Sequence, residues 1–503
     1  MFAPLPPALV FSSAKNRVLT ALLAAFVLLD LALTFWQNYQ LPLDGDLVAI
    51  VLPAPWYRQV LHDPFGWSVL TQNVVYAGSN RFFAHASMEL YWKSVPRLLQ
   101  HFTSPISSLY AASALFMTAT QALLLFGLAA YVRRASGRTG WAAPTTGSAT
   151  SFWVAAALLT PLFQTVGFYT QMGITNRAVT YSFFYTLPLA LLLGLLWPFF
   201  RAACRQEPLR PHPLQAALLL GLMVVLTFNG PVATASLAVL LLGLGLYWLR
   251  QHWQAAPPRP QLNPPGMAWL SGPASILLLL LAALCLYSLY IGRNNAENDP
   301  SHSLGELYRL LPQGIWRQLT WQPGLPILLA LLLLNAWLVR RWVPASLEGQ
   351  RILFILRAVG LFAVGYMLLL PFGGYRSYRP LLLRNDSILP ITLGVIFAYG
   401  ASTYFLIEQL QGTARRRYLT LVGLTAAFFT IADCRLTPRE PNDCQRASLE
   451  QLARAPAPIV QIGPTCTVLS WTPITDFHQS EYNAEMLRYW GVTTEKKLYF
   501  QQP

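Results

Sequence analysis

Charged side chains are scarce in this sequence. Asp, Glu, Lys and Arg together make up 11% of its 503 residues, whereas a soluble globular domain carries about 25%. Hydrophobic residues reach 54% of the chain. This composition argues against an ordinary soluble enzyme and is typical of a protein that crosses a membrane several times.

The sequence also lacks the local motifs of several enzyme classes. We find no Gly-rich phosphate-binding loop, no cysteine or histidine pairs at zinc-ligand spacing and no Gly-x-Ser-x-Gly turn. We therefore expect that this chain does not hydrolyse ATP. The cofactor stays open at this point, and a divalent cation is its one candidate.

Cysteine is rare as well, with five residues in the chain. Cys434, Cys444 and Cys466 all follow the last apolar run, on the side that we expect to face an oxidising compartment, where disulfides persist. One disulfide is therefore predicted among them. Three pairings are open, and we favour Cys434–Cys444, which encloses a short segment that contains proline.

Long apolar runs dominate what is present. A helix needs about 20 apolar residues to cross the hydrocarbon core of a bilayer. Runs that approach this length lie at residues 17–36, 107–132, 151–167, 178–200, 214–228, 232–249, 269–291, 326–339, 352–371, 388–407 and 418–432. The sequence therefore predicts an all-α polytopic membrane protein with about eleven transmembrane helices.

The positive charges follow the alternation of these runs. If the N-terminus is cytoplasmic, then Arg133, Arg134, Arg340, Arg341 and the triplet 415–417 all fall in short cytoplasmic loops, as the positive-inside rule requires. The C-terminus is then extracytoplasmic. This topology explains the net charge of +15 without nucleic acid as a partner. We expect an integral protein of the bacterial inner membrane.

The chain divides into a long bundle and a short tail. Residues 1–435 are expected to form the bundle, which includes a first outer loop at 37–106. Two stretches of this loop, 47–61 and 85–102, are amphipathic and are predicted to lie flat on the membrane. Residues 436–503 are expected to form a small extracytoplasmic domain or tail.

Two carboxylates lie just beyond the outer end of the first run, in Asp44-Gly45-Asp46. A partly buried carboxylate at a water–lipid boundary can have its pKa raised toward the range of a general base. Asp44 and Asp46 are therefore our candidate catalytic residues, and the candidate ligands if a metal ion binds. The plainer interpretation is a polar turn that ends a helix, since Asp-Gly favours turns.

Further along the loop, Asn80, Arg81, His85 and Glu89 are candidate substrate-binding residues. The planar guanidinium of Arg81 is suited to clamping a phosphate. His85 and Glu89 are four residues apart and would share one helix face. The alternative is an interfacial helix whose polar face meets water.

Arg376, Arg379 and Arg384 complete the set of candidate substrate-binding residues. They lie in a late outer loop, where the positive-inside rule argues against them. Recognition of an anionic phosphate or diphosphate supplies a reason for them. The alternatives are lipid headgroups, or ion pairs with Asp44 and Asp46. We expect this loop to fold over the first outer loop, with Arg376 or Arg379 pointing into a shared cavity.

These features together resemble the GT-C class of integral membrane glycosyltransferases. That class combines a many-span bundle with membrane-lying helices in the first outer loop and an acidic motif just after the first span. The Asp-x-Asp of residues 44–46 stands at that place. Some bacterial members carry a later feature similar to Asn-Gly-Arg-Phe, and residues 79–83 read Ser-Asn-Arg-Phe-Phe, without the glycine. The resemblance implies an aspartate base, a polyprenyl-phosphate-sugar donor, inversion at the sugar carbon, and a glycan or lipid-linked acceptor.

Two other classes fit a similar topology. An O-antigen polymerase or ligase also has many spans and arginine-bearing outer loops, but here the largest amphipathic loop follows the first span rather than a late one. A transporter or flippase of lipid-linked glycans would favour inverted repeats and helices broken at the membrane midplane. The best candidate for such a break is Asn229-Gly230-Pro231, between two short runs. In every reading the lipid bilayer is a partner.

Overall fold

The computed structural model describes residues 13–136, 148–253, 266–343, 346–463 and 465–502. Helices and two short strands make up its regular structure. In chain order the helices are α1 (Ser13–Tyr39), α2 (Leu47–Val51), α3 (Pro55–His62), α4 (Trp67–Gln72), α5 (Phe82–Leu99), α6 (Pro105–Ser136), α7 (Ser148–Leu159), α8 (Tyr169–Met172), α9 (Val179–Tyr181), α10 (Leu187–Arg205), α11 (Pro213–Thr227), α12 (Pro231–Trp253), α13 (Gly272–Gly292), α14 (Leu304–Thr320), α15 (Gly324–Trp342), α16 (Leu347–Leu369), α17 (Asn385–Gln409), α18 (Gly412–Asp433), α19 (Glu440–Arg454) and α20 (Glu481–Tyr489). The strands are β1 (Ile459–Ile462) and β2 (Leu498–Gln501).

Within the described ranges, 8 helical segments are long and apolar enough to cross a membrane. They are α1, α6, α9 continued into α10, α12, α13, α15, α16 and α17. A π-helical turn, Ser182–Thr186, joins α9 to α10. Two shorter apolar helices, α7 and α11, accompany them. The expectation of an all-α polytopic membrane protein is thereby confirmed.

The central helix is α17, which is buried along almost its whole length against α6, α7, α15 and α16. Small residues make this close packing feasible, as is usual between membrane helices. A Cβ atom at Gly400 would lie 2.5 Å from Cδ2 of Leu159 and 2.9 Å from Cγ2 of Val132. A larger residue at this position would therefore push α17 away from α6 and α7.

A buried polar network also holds α15, α17 and α18 together. The Asn335 amide donates to the hydroxyls of Ser402 and Thr403, at 2.9 Å each. The Tyr418 hydroxyl donates to the Asn335 carbonyl oxygen at 2.7 Å. Each polar group finds a partner inside the bundle, which removes the penalty of leaving it unpaired in an apolar environment.

Connections from distant parts of the chain meet at one end of the bundle, which we call the site end. The N–H of Phe83, at the start of α5, donates to the carbonyl of Phe228, which directly follows α11. The Gln37 amide at the end of α1 donates to the Asp433 carbonyl at the end of α18. Further joins pair Asp44 with Thr180, Asn80 with Ser288, and Arg81 with Glu297. Every functional candidate that the structure brings together lies here.

The first outer loop folds into α2 to α5 rather than lying flat throughout. The stretch 47–61 is divided into α2 and α3 by residues 52–54, which include Pro53. The prediction of a membrane-lying helix is wrong for α2, because Leu47, Val48, Ile50 and Val51 are all buried. Contacts with α5 and α20 enclose it. This buried helix fixes the position of the Asp44-Gly45-Asp46 turn that precedes it.

The residues after α18 form a small α/β unit in which β1 pairs in parallel with β2. Its apolar residues, among them Leu449, Val460 and Trp490, belong to the same buried cluster as the bundle. The Trp490 indole donates to the carbonyl of Trp92 in α5 at 2.9 Å. The C-terminal unit is therefore docked against the first outer loop at the site end.

The favoured disulfide, Cys434–Cys444, is wrong. Cys444 is bonded to Cys466, and Cys434 is a free, exposed residue at the end of α18. Proximity in sequence suggested the first pairing, but the non-helical residues 435–439 separate α18 from α19. In α19, Cys444 instead meets the segment that follows β1.

Candidate functional site

Asp44 is buried, and its carboxylate accepts four hydrogen bonds. Oδ1 accepts from the N–H groups of Asp46 and Leu47 at 3.1 Å each and from the Thr180 hydroxyl at 2.8 Å. Oδ2 accepts from the Thr180 N–H at 3.1 Å. These bonds join the start of α2 to the start of α9 and leave the carboxylate little capacity for a ligand. Asp44 therefore positions the turn.

Burial raises the pKa of Asp44 to about 6. The hydrogen bonds from Thr180 oppose this rise, and the neighbouring charge of Asp46 adds to it. A carboxyl group with such a pKa changes its protonation state within the physiological range.

Asp46 is the more open of the two carboxylates. The Tyr181 hydroxyl donates to its Oδ2 at 2.8 Å, and the Trp471 indole donates to its Oδ1 at 2.9 Å. An ionised carboxylate has about four acceptor positions, so Asp46 keeps capacity for a substrate hydroxyl or a cation. Of the two predicted catalytic residues, Asp46 is the one whose carboxylate keeps room for a ligand.

Glu297 links the first outer loop to the late outer loop that carries Arg376, Arg379 and Arg384. Its Oε2 accepts from Arg81 at 3.3 Å and also from Arg376, while Tyr57 donates to its Oε1 at 3.3 Å. Burial alone would raise the pKa of Glu297, but Arg81 and Arg376 outweigh burial and hold that pKa below its usual range. Glu297 is therefore ionised at neutral pH and holds both guanidinium groups at the site end.

Arg379 and Arg384 both pair with Asp386. The distances are 3.0 Å from Arg379 Nη1 to Oδ2 and 2.7 Å from Arg384 Nε to Oδ1. Arg379 also lies over the Tyr181 ring, 4.4 Å from its centroid, and therefore reaches the residue that bonds Asp46. The alternative expectation, ion pairs of this loop with Asp44 and Asp46, is wrong because Glu297 and Asp386 supply the carboxylates.

The arginines of this region outnumber the carboxylates with which they form ion pairs. The ion pairs connect Arg81, Arg376, Arg379 and Arg384 to only two carboxylates. Each of the two carboxylates therefore binds two guanidinium groups, which leaves arginine N–H donors for the oxygens of a bound phosphate. We call Asp46, Arg81, Tyr181, Glu297, Arg376 and Arg379 the polar cluster.

His85 packs beside the polar cluster without joining it by a hydrogen bond. Its ring lies between Tyr57 and Phe184, with centroid distances of 5.3 and 5.4 Å. Its Nδ1 atom is buried and has no hydrogen-bond partner among the described residues. Burial lowers the pKa of His85 to about 3, and Arg81 acts in the same direction. The ring is therefore neutral and packs as an aromatic side chain.

Two other predicted substrate-binding residues have partners away from the cluster. The Asn80 amide donates to the carbonyl and the hydroxyl of Ser288 at 3.2 and 3.3 Å, which ties the first outer loop to α13. Glu89 pairs with Lys93 at 2.6 Å, one turn along α5. His85 and Glu89 lie one turn apart on α5, as predicted, but His85 is buried and Glu89 is half-exposed.

Sequence reasoning missed several residues that complete the cluster. Tyr181 lies inside an apolar run, and Trp471 lies in the tail, so neither stood out locally. Glu297 follows the apolar run at 269–291 and belongs to no recognisable motif. A signal for it existed, because a carboxylate is the simplest counter-ion for arginines that violate the positive-inside rule.

A dedicated metal centre is not among the features of the described chain. No group of three or more His, Cys, Asp or Glu side chains there is arranged to hold a metal ion. A cation at Asp46 would therefore need oxygen ligands from water and substrate, which is common for Mg²⁺ bound beside phosphates.

Comparison with known proteins gives no family assignment. No protein-family model matches the chain, and no curated protein has a matching sequence.

Proposed function

We propose that this chain is a membrane glycosyltransferase of GT-C character. It would move a sugar from a polyprenyl-phosphate donor to a glycan or lipid-linked acceptor. The observation that carries the proposal is the polar cluster, in which an open carboxylate, Asp46, lies beside arginines that outnumber the carboxylates with which they pair. A site at the end of a membrane bundle suits a donor whose lipid tail stays in the bilayer.

The chemistry assigns a part to each side of the cluster. Asp46 accepts the proton of an acceptor hydroxyl as that oxygen forms a bond to the anomeric carbon of the donor. The bond from the anomeric carbon to the phosphate oxygen breaks, and the polyprenyl phosphate leaves with the electron pair. Arg376, Arg379 and Arg81 stabilise the negative charge that develops on the leaving phosphate. If a divalent cation takes part, Asp46 and the donor phosphate would hold it.

The contacts also support a topology with eleven membrane crossings. The chain leaves the site end along α6 and is back there at α9, where Thr180 bonds Asp44. The described helices between them are α7 and the short α8, and of these two α7 is the one that can bring the chain back. By the same reasoning α11 returns the chain to Phe228, and α18 returns it to Asp433. Adding these three helices to the 8 segments above makes eleven.

With eleven crossings, the two ends of the chain lie on opposite sides of the membrane. The positive-inside rule puts the N-terminus in the cytoplasm, so the site end and the C-terminal unit face outward. We propose the bacterial inner membrane as the location, because polyprenyl-phosphate sugars are used at its outer face.

The test is transfer from a radiolabelled polyprenyl-phosphate sugar to endogenous acceptors in membranes that contain the full chain. Asp46→Asn preserves size and removes the negative charge. We expect transfer to fall by about 10²-fold or more, the usual contribution of a general base. Glu450→Gln on α19 is the matched control, since Glu450 is exposed and pairs only with Arg454 on its own helix. Wild-type transfer in Asp46→Asn would overturn the proposal.

The same assay separates the competing classes. A polymerase or ligase would use diphosphate-linked glycans and would leave a monophosphate-linked sugar untouched. A flippase would move the labelled lipid across vesicles without forming a new glycosidic bond. The candidate helix break at Gly230 lies at the site end, where Arg81 Cγ is 3.6 Å from the position of a Cβ. Gly230 therefore belongs to the connection between α11 and α12 and is not a helix break at the membrane midplane. This position removes one argument for transport.

A further inference from the structure

A residue of the C-terminal unit, Trp471, contacts the polar cluster. Its indole N–H donates to Asp46, as described above. Its ring stacks on Tyr181, with the centroids 6.2 Å apart and the planes 15° from parallel. Despite these contacts, Trp471 is 54% exposed. An aromatic ring fixed at its edge and on one face therefore still presents a large area to solvent beside the open carboxylate.

The Asp44-Gly45-Asp46 turn is shaped to receive this residue. A Cβ atom at Gly45 would lie 2.5 Å from the Trp471 nitrogen and 2.6 Å from the Ser470 carbonyl carbon. Side chains do not tolerate such distances to backbone atoms, so only glycine permits the approach. Glycine is therefore needed between the two aspartates for this backbone contact, and not only because Asp-Gly favours turns.

The segment that carries Trp471 is anchored on both sides. The disulfide joins Cys466 to α19, and the Asn483 amide of α20 donates to the Leu469 carbonyl at 3.1 Å. Leu469 itself has φ +51°, a backbone conformation that only neighbouring contacts can stabilise. Anchoring of this kind keeps the indole in one place and lowers the entropy lost when a ligand binds to it.

We propose that Trp471, Tyr181 and Asp46 form a monosaccharide-binding subsite, in which a sugar ring packs on the exposed indole. A sugar ring presents C–H groups on one face and hydroxyl groups around its edge. A flat aromatic surface with a carboxylate at its rim matches both features. The inference deepens the proposed transferase function and rests on it for the identity of the sugar as donor or acceptor.

The competing explanation is that Trp471 anchors the C-terminal unit at the membrane interface, where tryptophan is enriched. An interfacial anchor directs its indole N–H toward water or headgroups. Here the indole N–H donates to Asp46 and the ring stacks on Tyr181. The geometry therefore favours a site over an anchor, and an experiment can separate the two.

Saturation-transfer NMR on the full chain in nanodiscs measures sugar binding directly, without any transfer step. The probes are the methyl glycosides of glucose, mannose, galactose and arabinose. We expect at least one probe to bind the wild type, with about tenfold weaker binding to Trp471→Ala, because this variant loses the flat surface on which the sugar ring packs. Trp471→Phe keeps the ring, loses the N–H and should bind with intermediate affinity. Trp316→Ala is the matched control, because Trp316 on α14 is 71% exposed.

Thermal unfolding of each variant guards against a trivial loss of structure, and Trp471→Phe carries the test if Trp471→Ala does not fold. The proposal is overturned if no probe binds, or if both Trp471 variants bind as the wild type does. Its failure can be told apart from failure of the transferase proposal. Normal transfer by Trp471→Ala would remove the subsite alone. Trp471-dependent binding without any transfer would remove the transferase and leave the subsite.

Discussion

At the scale of single residues, the two aspartates of the first outer loop differ in what surrounds them. Asp44 is enclosed by the start of α2 and by Thr180, whereas Asp46 is held at its rim by Tyr181 and Trp471. Both carboxylates belong to the same tripeptide. The difference between an enclosed carboxylate and an open one therefore comes mainly from tertiary contacts, with Thr180 for Asp44 and with Tyr181 and Trp471 for Asp46.

Burial of Asp44 should make the free energy of unfolding of the protein depend on pH. Its pKa rises from 3.8 to about 6 on folding, so between these values the folded state binds more protons than the unfolded state. The free energy of unfolding then falls as the pH rises through this window. Asp44→Asn cannot ionise and should lack this term, which is on the order of 3 kcal/mol.

The measurement is the thermal midpoint of the wild type and Asp44→Asn in detergent between pH 4 and pH 7. The wild type should lose stability relative to the variant as the pH rises. His85, whose lowered pKa acts with the opposite sign over the same range, is present in both proteins and cancels in the difference. Parallel curves for the two proteins would mean that Asp44 has an ordinary pKa.

At the scale of elements, the contact between the first outer loop and the segment around Trp471 depends on Gly45. The two segments are far apart in sequence, and their backbones touch at this turn. The contact fixes the start of α2, the position of Asp46 and the orientation of the indole together. A change at Gly45 should therefore act on the whole arrangement.

Gly45→Ala should force the Trp471 segment away from the turn. Overpacking of this kind destabilises by about 1–3 kcal/mol, and we expect a lower thermal midpoint together with a loss of transfer at least as large as that of Trp471→Ala. Gly463→Ala, in the same C-terminal unit, is the control because nothing lies within 4 Å of its added Cβ. Equal midpoints and equal transfer for the two variants would show that the contact has no importance.

At the scale of the whole molecule, the sequence predicted the bundle well because membrane helices are specified by local composition. Each apolar run reads as a helix without reference to any other part of the chain. The contacts within the polar cluster produce no pattern in the local sequence. Arg376 pairs with a residue 79 positions away, Tyr181 reaches one 135 positions away, and Trp471 reaches across 425 positions. Patterns within a short window can name candidate arginines and aspartates, but they cannot assign their partners.

The same limit explains the two errors in the loops. The stretch 47–61 has the amphipathic pattern of an interfacial helix, yet α2 is covered by α5 and α20, which come from later in the chain. Cys434 and Cys444 are close in sequence, yet the partner of Cys444 is set by where the chain returns after β1. In both cases the deciding contact is with a segment that local reasoning did not place.

The proposed eleven crossings put Cys434 and the C-terminal unit outside the cytoplasm, and thiol labelling can test this. Cys434 is exposed and free, Cys204 and Cys285 are free but buried, and Cys444 and Cys466 form the disulfide. A membrane-impermeant maleimide added to intact spheroplasts should therefore attach to one thiol per chain, and Cys434→Ser should abolish the signal. Reduction in denaturant should expose two further thiols, those of the disulfide, in addition to the two buried ones. Labelling of Cys434 only after the membrane is opened would place the C-terminal unit in the cytoplasm and require an even number of crossings.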